Sequence, residues 1–409
     1  MKSVFLYSPY SEGHHEVYAT LYTQAMLKLG HKVVVLYPTA ERLSEQPLAL
    51  LAKQHADCWL LPTEPYAPAV LDKKRVEGFV NQRKLWSLTR LSVENAAKAT
   101  GLEPTLTFIL WLDCYFQSPL MPAWMVDKLF PYPWSGILFH PAQTQLNLEG
   151  MTTKERLVAT AFNLQPPPPM TPPVYSRNLK ALAMLDEFFV REYAHIAPQV
   201  DFLHFPDVAT STTAEDGFPL LQEITKRAAG RTIVTLAGSL ESRKGLMTLA
   251  RVAQRAAQEE FFFVFCGKLY PESFDDHARM FQAFIDSEPQ NCYFHLEYIP
   301  DERQFNSILA LSDILFAAYV DFKSSSNLVS KAAILRKPIL VSDKHVMGET
   351  VMRYNLGRVA PQKDTATTLL ALQELRVADL EGFGFTAFAE DNSPAKLEKE
   401  LCALLERYQ

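Results

Sequence analysis

Apolar positions near the start of the chain follow two different spacings, and each spacing predicts a different element. The apolar runs at Ser3–Tyr7 and His31–Tyr37 are typical of strands that a parallel sheet buries on both faces. Between them, apolar residues in Val17–Leu29 recur about every 3.6 positions, which predicts an amphipathic helix with Gly30 as its C-cap. A strand–helix–strand unit of this size predicts a right-handed parallel crossover.

The same alternation continues through the first half of the chain. The pattern predicts helices within 66–100 and at Leu179–Ala194, and strands at Leu106–Leu112 and Gly136–Phe139. The proline run PPPPMTPP at 166–173 predicts a stiff, extended surface connector.

A second strand–helix series begins at Arg231. Its predicted strands are Arg231–Ala237, Phe261–Cys266, Tyr293–Leu296, Asp313–Ala317 and Ile339–Val341. Its predicted helices are Gly245–Ala257, Phe274–Ser287, Asp301–Leu311 and one opened by the serines of KSSSNLVSKAAILRKPILVSD, which starts at Lys323. Two successive series predict an α/β protein with two doubly wound domains.

A length of 409 residues also favours two domains over one core. We place the N-terminal domain at 1–208, a linker at 209–217 around the polar stretch TSTTAEDG, and the C-terminal domain at 218–385. The remaining residues, 386–409, contain a predicted helix at Pro394–Tyr408.

Composition narrows the class of protein. A net charge of −6 argues against a dedicated nucleic-acid binder, which needs a basic surface. Five scattered cysteines without a Cys-x-x-Cys pair are typical of buried thiols in a reducing compartment. The start MKSVFLYSPYSEG does not resemble a signal peptide, and the apolar run TFILWL is far shorter than a spanning helix. We therefore expect a cytoplasmic protein.

Four polar segments follow predicted strands, where parallel sheets bind ligands. The first, SPYSEGHHEVY, contains Gly13, His14 and His15, and the second, FHPAQ, contains His140. We interpret both as belonging to an acceptor side. The third segment is AGSLESRKG, and the fourth is the serine loop at Lys323.

The third and fourth segments have the chemistry of a phosphate site. In AGSLESRKG, Gly238 permits a tight turn and Lys244 stands beside a helix start, where its charge adds to that of the helix dipole. The hydroxyls of Ser324–Ser326 and nearby backbone N–H groups suit an anion at another helix start. A solvated basic turn and plain N-capping are the alternatives.

Other cofactor sites find no support in the sequence. A single Gly13 follows the first strand, so the G-x-G-x-x-G dinucleotide motif is missing, and no Walker motif occurs. The adjacent His14 and His15 cannot readily share a metal, and no Cys or carboxylate stands at ligand spacing. We expect neither a metal nor a cofactor.

Five phrases between Arg231 and Arg358 keep a recognisable order: GSLESRKG, FFFVFCGK, YIPDERQFNSILALSDILFAAY, KAAILRKPILVSD and MGETVMRYNLG. They resemble the retaining glycosyltransferases of family four, and SEGHHEVYATLYTQAMLKLGHKVVVLY resembles that family's start more weakly. The resemblance implies the GT-B fold, in which two facing Rossmann-like parallel-sheet domains enclose a cleft. It also implies metal-independent, retaining transfer of a sugar from a nucleotide-sugar donor to a glycan, lipid-linked or small-molecule acceptor.

The resemblance assigns roles to individual residues. It implies catalytic roles for His140, Lys244 and Glu349. The donor-binding residues that it implies are Gly238, Ser239, Lys244, Tyr298, Ile299, Lys323, Ser324, Ser325, Ser326, Asn327 and Lys331.

Three of these positions depart from the family. Its two motif glutamates align with Lys323 and Lys331, and the arginine of its phosphate turn aligns with Ser239. A lysine cannot accept hydrogen bonds from hydroxyl groups as a carboxylate does. The lysines either strengthen anion binding or point to solvent in a degenerate site. The alternative function is therefore a catalytically silent GT-B protein that binds a sugar nucleotide, a glycan or a protein partner, and a third is other chemistry on this fold, such as epimerisation.

The segment 72–91, DKKRVEGFVNQRKLWSLTRL, is basic and carries Phe79 and Trp86. It is a candidate for peripheral contact with anionic lipid that carries an acceptor. The alternative is a solvated helix face, because Asp72 and Glu77 interrupt the basic run.

Overall fold

The computed structural model describes most of the chain. The described residues are 2–11, 15–38, 47–65, 75–116, 118, 120–141, 170–214, 218–274 and 277–407, with the backbone alone for 75–77. The predictions for Gly13 and His14, for the linker residues 215–217 and for most of the proline run concern residues outside these ranges.

The first sheet has seven parallel strands in the order β3-β2-β1-β4-β5-β6-β7. Their bounds are β1 Ser3–Tyr7, β2 Lys32–Tyr37, β3 Cys58–Pro62, β4 Leu106–Ile109, β5 Trp134–Leu138, β6 Leu179–Met184 and β7 Phe202–His204. The helices around it are α1 His15–Lys28, α2 Pro47–Gln54, α3 Arg75–Thr100, α4 Ala123–Leu129 and α5 Glu187–Ile196. The predicted strand–helix alternation of this half is confirmed except at Leu179–Ala194.

The second sheet has six parallel strands in the order β10-β9-β8-β11-β12-β13. Their bounds are β8 Thr232–Ala237, β9 Phe261–Cys266, β10 Cys292–His295, β11 Ile314–Ala317, β12 Ile339–Ser342 and β13 Gly357–Ala360. The helices are α6 Pro219–Ala228, α7 Leu246–Arg255, α8 Ala278–Asp286, α9 Glu302–Leu311, α10 Asn327–Ile334, α11 His345–Tyr354, α12 Thr365–Arg376 and α13 Phe385–Asp391. All six side chains of β9, FFFVFC, are buried, as expected of an inner parallel strand.

The chain forms two compact units. One consists of Met1–Pro206 together with Pro394–Gln409, and the other of Asp207–Ser393. Helix α14, Pro394–Arg407, buries its leucines in the first unit, and Glu398 pairs with Lys28 of α1 at 2.7 Å. The predicted segment 386–409 is therefore divided, because α13 belongs to the second unit.

The predicted helix Leu179–Ala194 is wrong in its first half. Leu179–Met184 forms strand β6, and the helix begins only at Glu187, with Asp186 as its N-cap. The sequence LKALAM has high helix propensity, but four of its six side chains are buried in the sheet. Burial on both faces of a parallel strand outweighs a propensity difference of less than about 1 kcal/mol per residue.

Helix α3 contains Trp86, which the sequence analysis included in a candidate lipid contact, and the structure contradicts this part of the prediction. Trp86 is fully buried and packs against Tyr115, Phe130 and Trp134, with ring centroids 4.6 to 5.7 Å away. It therefore cannot contribute to a surface. Among the residues described, no helix has both the length and the apolar character needed to cross a membrane.

Candidate functional site

Each sheet has one topological switch point, where strand order reverses. In the first unit it lies between β1 and β4, and in the second between β8 and β11. The connections that follow the two strands at a switch point run to opposite faces of the sheet. This leaves a crevice beyond the carboxyl ends of those strands. The turn AGSLESRKG follows β8 and the serine loop follows β11, so two segments selected from sequence meet at one switch point.

The turn after β8 brings a lysine over a glycine. Gly238 has φ +102°, and Lys244 Nζ lies 3.0 Å from the point that a Cβ at Gly238 would occupy. Gly245 has φ +77° and lies so near β11 that an added Cβ would stand 2.5 Å from the Ala318 carbonyl oxygen. The two glycines fold the turn tightly against the sheet and hold the ammonium at its carboxyl edge.

The loop after β11 is fixed on both sides. On one side Val320 N donates to the Arg243 carbonyl oxygen at 2.7 Å. On the other, Ser342 Oγ donates to the Tyr319 carbonyl oxygen, and Asp321 N donates to Gln362 Oε1 at 3.2 Å. The residues that lead from β11 into the serines are thus held by hydrogen bonds on both sides.

The two cations of the turn differ in their partners. Arg243 Nε pairs with Glu241 Oε2 at 2.7 Å, and its guanidinium lies over the Phe322 ring. The Lys244 ammonium lies 5.2 Å from the Tyr319 ring centroid and has no carboxylate partner among the described residues. The Tyr319 side chain is 3% exposed, and its hydroxyl likewise has no hydrogen-bond partner in the described chain. Lys244 is therefore the cation available to an anion.

The serine cluster divides into two roles. Ser326 is the N-cap of α10 and accepts from Leu328 N, so plain capping explains this serine. The hydroxyls of Ser324 and Ser325 make no hydrogen bond within the described chain, and Lys323 is exposed. Asn327, the first residue of α10, donates to Asp207 Oδ1 at 3.4 Å.

Lys331 corrects a prediction. It is 3% exposed, and its ammonium pairs with Glu302 and donates to Asn306 Oδ1 at 2.6 Å. Asn306 in turn donates to the carbonyl oxygens of Thr210 and Thr212, at 3.1 and 2.9 Å. Lys331 lies on the buried face of α10, and both of its partners belong to the neighbouring helix α9. Its ammonium is therefore engaged in an ion pair and a hydrogen bond within the unit, an environment that the sequence did not predict.

The other predicted donor residues lie along the same edge. Tyr298 and Ile299 follow β10, two strands away from β8, which is roughly 10 Å across the sheet. The Tyr298 side chain is 67% exposed. Ser239 is half-buried beside Gly238, and Glu349 stands in α11 after β12.

The switch point of the first unit is built around Trp111. The His15 ring lies 4.7 Å from it, Phe139 stacks on it at 4.1 Å, and the His140 ring lies 6.0 Å away. His15 Nδ1 also lies 3.4 Å from Ser8 Oγ. The structure therefore brings together His15 and His140, which the sequence placed in separate acceptor-side segments.

Asp113 lies beneath His140 in this cluster. Its carboxylate accepts from Phe139 N at 3.0 Å and from His140 N at 2.6 Å. Oδ1, the oxygen that accepts from His140 N, also lies 3.2 Å from His140 Nδ1. One buried carboxylate thus fixes both the backbone and the ring of His140.

Cysteine chemistry is not available at either site. Burial raises the pKa of the Cys114 thiol well above its ordinary value, and burial raises the pKa of Cys266 to about 12. Both thiols therefore stay protonated and are poor nucleophiles. Within the described ranges, no three His, Cys, Asp or Glu side chains come close enough to hold a metal ion.

Sequence reasoning missed Trp111, Asp113 and Tyr319. The prediction extended strand β4 to Leu112, whereas the strand ends at Ile109. If the strand had been predicted to end at Ile109, Trp111 and Asp113 would have stood just after its carboxyl end, where parallel sheets bind ligands. Tyr319 gave no signal, because it ends an apolar run and only the fold places it beside Lys244.

Comparisons with known proteins give a match in fold. No protein-family model and no curated protein sequence matches the chain. Among solved structures it is similar to a sucrose-phosphate synthase from Thermosynechococcus elongatus, with 13% identity, coverage of 100% of this chain and 99% of that one, and a TM-score of 0.65. For HepE from Anabaena in complex with UDP, the identity is 12%, both chains are fully covered and the TM-score is 0.62. For a UDP-forming trehalose-phosphate synthase from Burkholderia xenovorans, the identity is 9%, the coverage 99% of each chain and the TM-score 0.66. The chain therefore has the GT-B fold of these glycosyltransferases.

Proposed function

We propose that the protein transfers a sugar from a nucleoside-diphosphate sugar to a hydroxyl group of an acceptor. The second unit would bind the donor and the first unit the acceptor. The observation that carries the proposal is the Lys244 ammonium, which lies over Gly238 at a switch point and has no carboxylate partner in the described chain.

The proposed donor site combines positive charge with hydrogen-bond donors. Lys244 and the start of α10, with the hydroxyls of Ser324 and Ser325, offer a full positive charge, a helix dipole and hydrogen-bond donors. These groups suit a diphosphate and would stabilise the negative charge that grows on it as the sugar leaves. Tyr298 and Ile299 would then lie on the nucleoside side. The structure of HepE holds UDP, which makes UDP the first ligand to test.

The proposed acceptor site lies at the switch point of the first unit. His15 and His140 border the other switch point, in the unit that lacks the cationic turn. The resemblance to retaining enzymes supports transfer with retained anomeric configuration. Proton NMR of the product's anomeric position would test this.

A second candidate function is binding of a sugar nucleotide without transfer. The buried Lys331–Glu302 pair favours it, since the position of a family glutamate is committed to the interior here. A UDP-sugar that binds but releases no UDP in the presence of any acceptor would support this candidate.

Replacing Lys244 with alanine should weaken UDP binding by roughly tenfold or more, because charge-assisted hydrogen bonds contribute about 1.5–3 kcal/mol. Isothermal titration calorimetry with UDP, GDP and ADP measures the effect. Thermal unfolding should change little, since the side chain is partly exposed and has no ion pair in the described chain.

Lys337→Ala is the matched control. It removes the same charge just before β12, at the opposite edge of the sheet from the proposed site. The control should bind UDP like the wild type. Equal affinity in wild type and Lys244→Ala would remove the proposed donor site.

A further inference from the structure

Within the described ranges, the Asp113 carboxylate contacts one short loop, Phe139 and His140. Its side chain is 6% exposed, and its described contacts are Phe139 N, His140 N and His140 Nδ1. An ionised carboxylate only accepts hydrogen bonds. The contact with His140 Nδ1 is therefore a hydrogen bond only if that nitrogen carries a proton.

This requirement fixes the character of the other ring nitrogen. A neutral imidazole has one N–H, so a proton on Nδ1 leaves Nε2 with a lone pair. The His140 side chain is 39% exposed, and no further hydrogen bond to its ring is formed within the described chain. With respect to the described residues, Nε2 can then accept a hydrogen bond from a ligand.

We infer that Asp113 is a positioning residue that holds His140 in the Nδ1–H tautomer, so that the acceptor site takes the hydroxyl group of a neutral sugar and rejects an oxyanion. The inference rests on the proposed function, since it concerns the acceptor of that transfer. It does not require Asp113 to touch the substrate.

The discrimination follows from hydrogen-bond chemistry. A hydroxyl donates to Nε2, whereas a phosphate dianion or a carboxylate has no proton to donate there. An anion would also meet the negative charge of Asp113 in a site that contains a tryptophan and a phenylalanine. A site built for one partner leaves its polar groups unsatisfied with the other, and this mismatch lowers affinity steeply.

The tautomer can be measured directly on the whole chain. Long-range ¹H–¹⁵N NMR distinguishes the protonated from the unprotonated ring nitrogen of each histidine, and the spectrum of His140→Gln identifies the His140 signals. In mildly alkaline buffer we expect a protonated Nδ1 and an unprotonated Nε2. A protonated Nε2 in the wild type would overturn the inference.

Asp113→Ala should shift the population towards the opposite tautomer, because it removes the oxygen that accepts from Nδ1. Asp127→Ala is the matched control: this carboxylate of the same unit accepts from Ser176 at 2.6 Å, away from His140. The control should leave the His140 tautomer unchanged. An unchanged tautomer in Asp113→Ala would also overturn the inference, and the wild-type spectrum decides the matter if that variant does not fold.

The acceptor class is tested by UDP release from UDP-glucose with a panel of free sugars and the corresponding sugar phosphates. We expect kcat/KM to favour the neutral sugars by at least about tenfold, and Asp113→Ala to lower kcat/KM for them. A preference for the phosphates would contradict the inference. If no acceptor stimulates UDP release, the proposed function fails, while the tautomer measurement still decides the role of Asp113.

Discussion

Replacing Lys331 with glutamate is expected to lower the free energy of unfolding of the second unit by about 3 kcal/mol or more. The substitution removes a buried cation and places a carboxylate against Glu302 and the Asn306 carbonyl oxygen. Breaking a buried ion pair costs about 3–5 kcal/mol, and the lower end applies here because Glu302 is 37% exposed. Urea unfolding followed by circular dichroism measures the change.

Lys323→Glu provides the control for charge. It makes the same substitution eight positions earlier at an exposed side chain, and it should change stability by less than about 0.5 kcal/mol. Adding Glu302→Lys to Lys331→Glu should restore part of the loss, because the exchanged pair can form again. Equal stability of the Lys331→Glu and Lys323→Glu variants would contradict a structural role for Lys331.

Replacing Gly267 with alanine should disrupt both the sheet and the proposed donor site. Gly267 has φ +134°, and an added Cβ would lie 2.8 Å from the Gly238 carbonyl carbon and nearer still to its oxygen. Gly238 N also donates to the Cys266 carbonyl oxygen at 2.9 Å, so the two strand ends cannot separate without breaking this bond. We expect a stability loss of about 3 kcal/mol, from overpacking and backbone strain together. UDP affinity should fall as well, since Gly238 lies beneath the Lys244 ammonium.

Gly230→Ala is the control that distinguishes backbone strain from a steric clash of the added Cβ. Gly230 also has a positive φ, +81°, but an added Cβ there meets nothing within 4 Å. It should lose only about 1 kcal/mol and keep its UDP affinity. The role given to Gly267 would be wrong if both variants lost the same stability and bound UDP equally well.

Periodicity was sufficient to predict much of the fold. Ser3–Tyr7 and Phe261–Cys266 are strands with the predicted bounds, because continuous apolar runs of five or six residues have few other buried solutions. Leu179–Met184 was misassigned, since its alanines and leucines suit a helix equally well and only pairing with β5 decides. Local sequence contains no information on that pairing.

The candidate site was less predictable than the fold. Gly238 and Lys244 could be found from one turn, because a tight turn, a cation and a helix start are all local signals. Lys331 could not, since its neighbours Glu302 and Asn306 lie 29 and 25 positions away and reach it only through the packing of α9 against α10. For the same reason Asp113 and His140, 27 positions apart, were not recognised as a pair.

The first unit contains both ends of the chain, and the second unit is formed by the segment between them. Asp207 N donates to Asn392 Oδ1 at 3.3 Å, so the two ends of the second unit lie side by side. During synthesis this unit is complete before α14 leaves the ribosome, whereas the first unit lacks α14 until the whole second unit has been made. Until then, the surface of the first unit that Leu397, Leu401 and Leu404 will cover remains open. The second unit should therefore be able to fold first, and a chaperone that binds exposed apolar surface has its target on the nascent first unit.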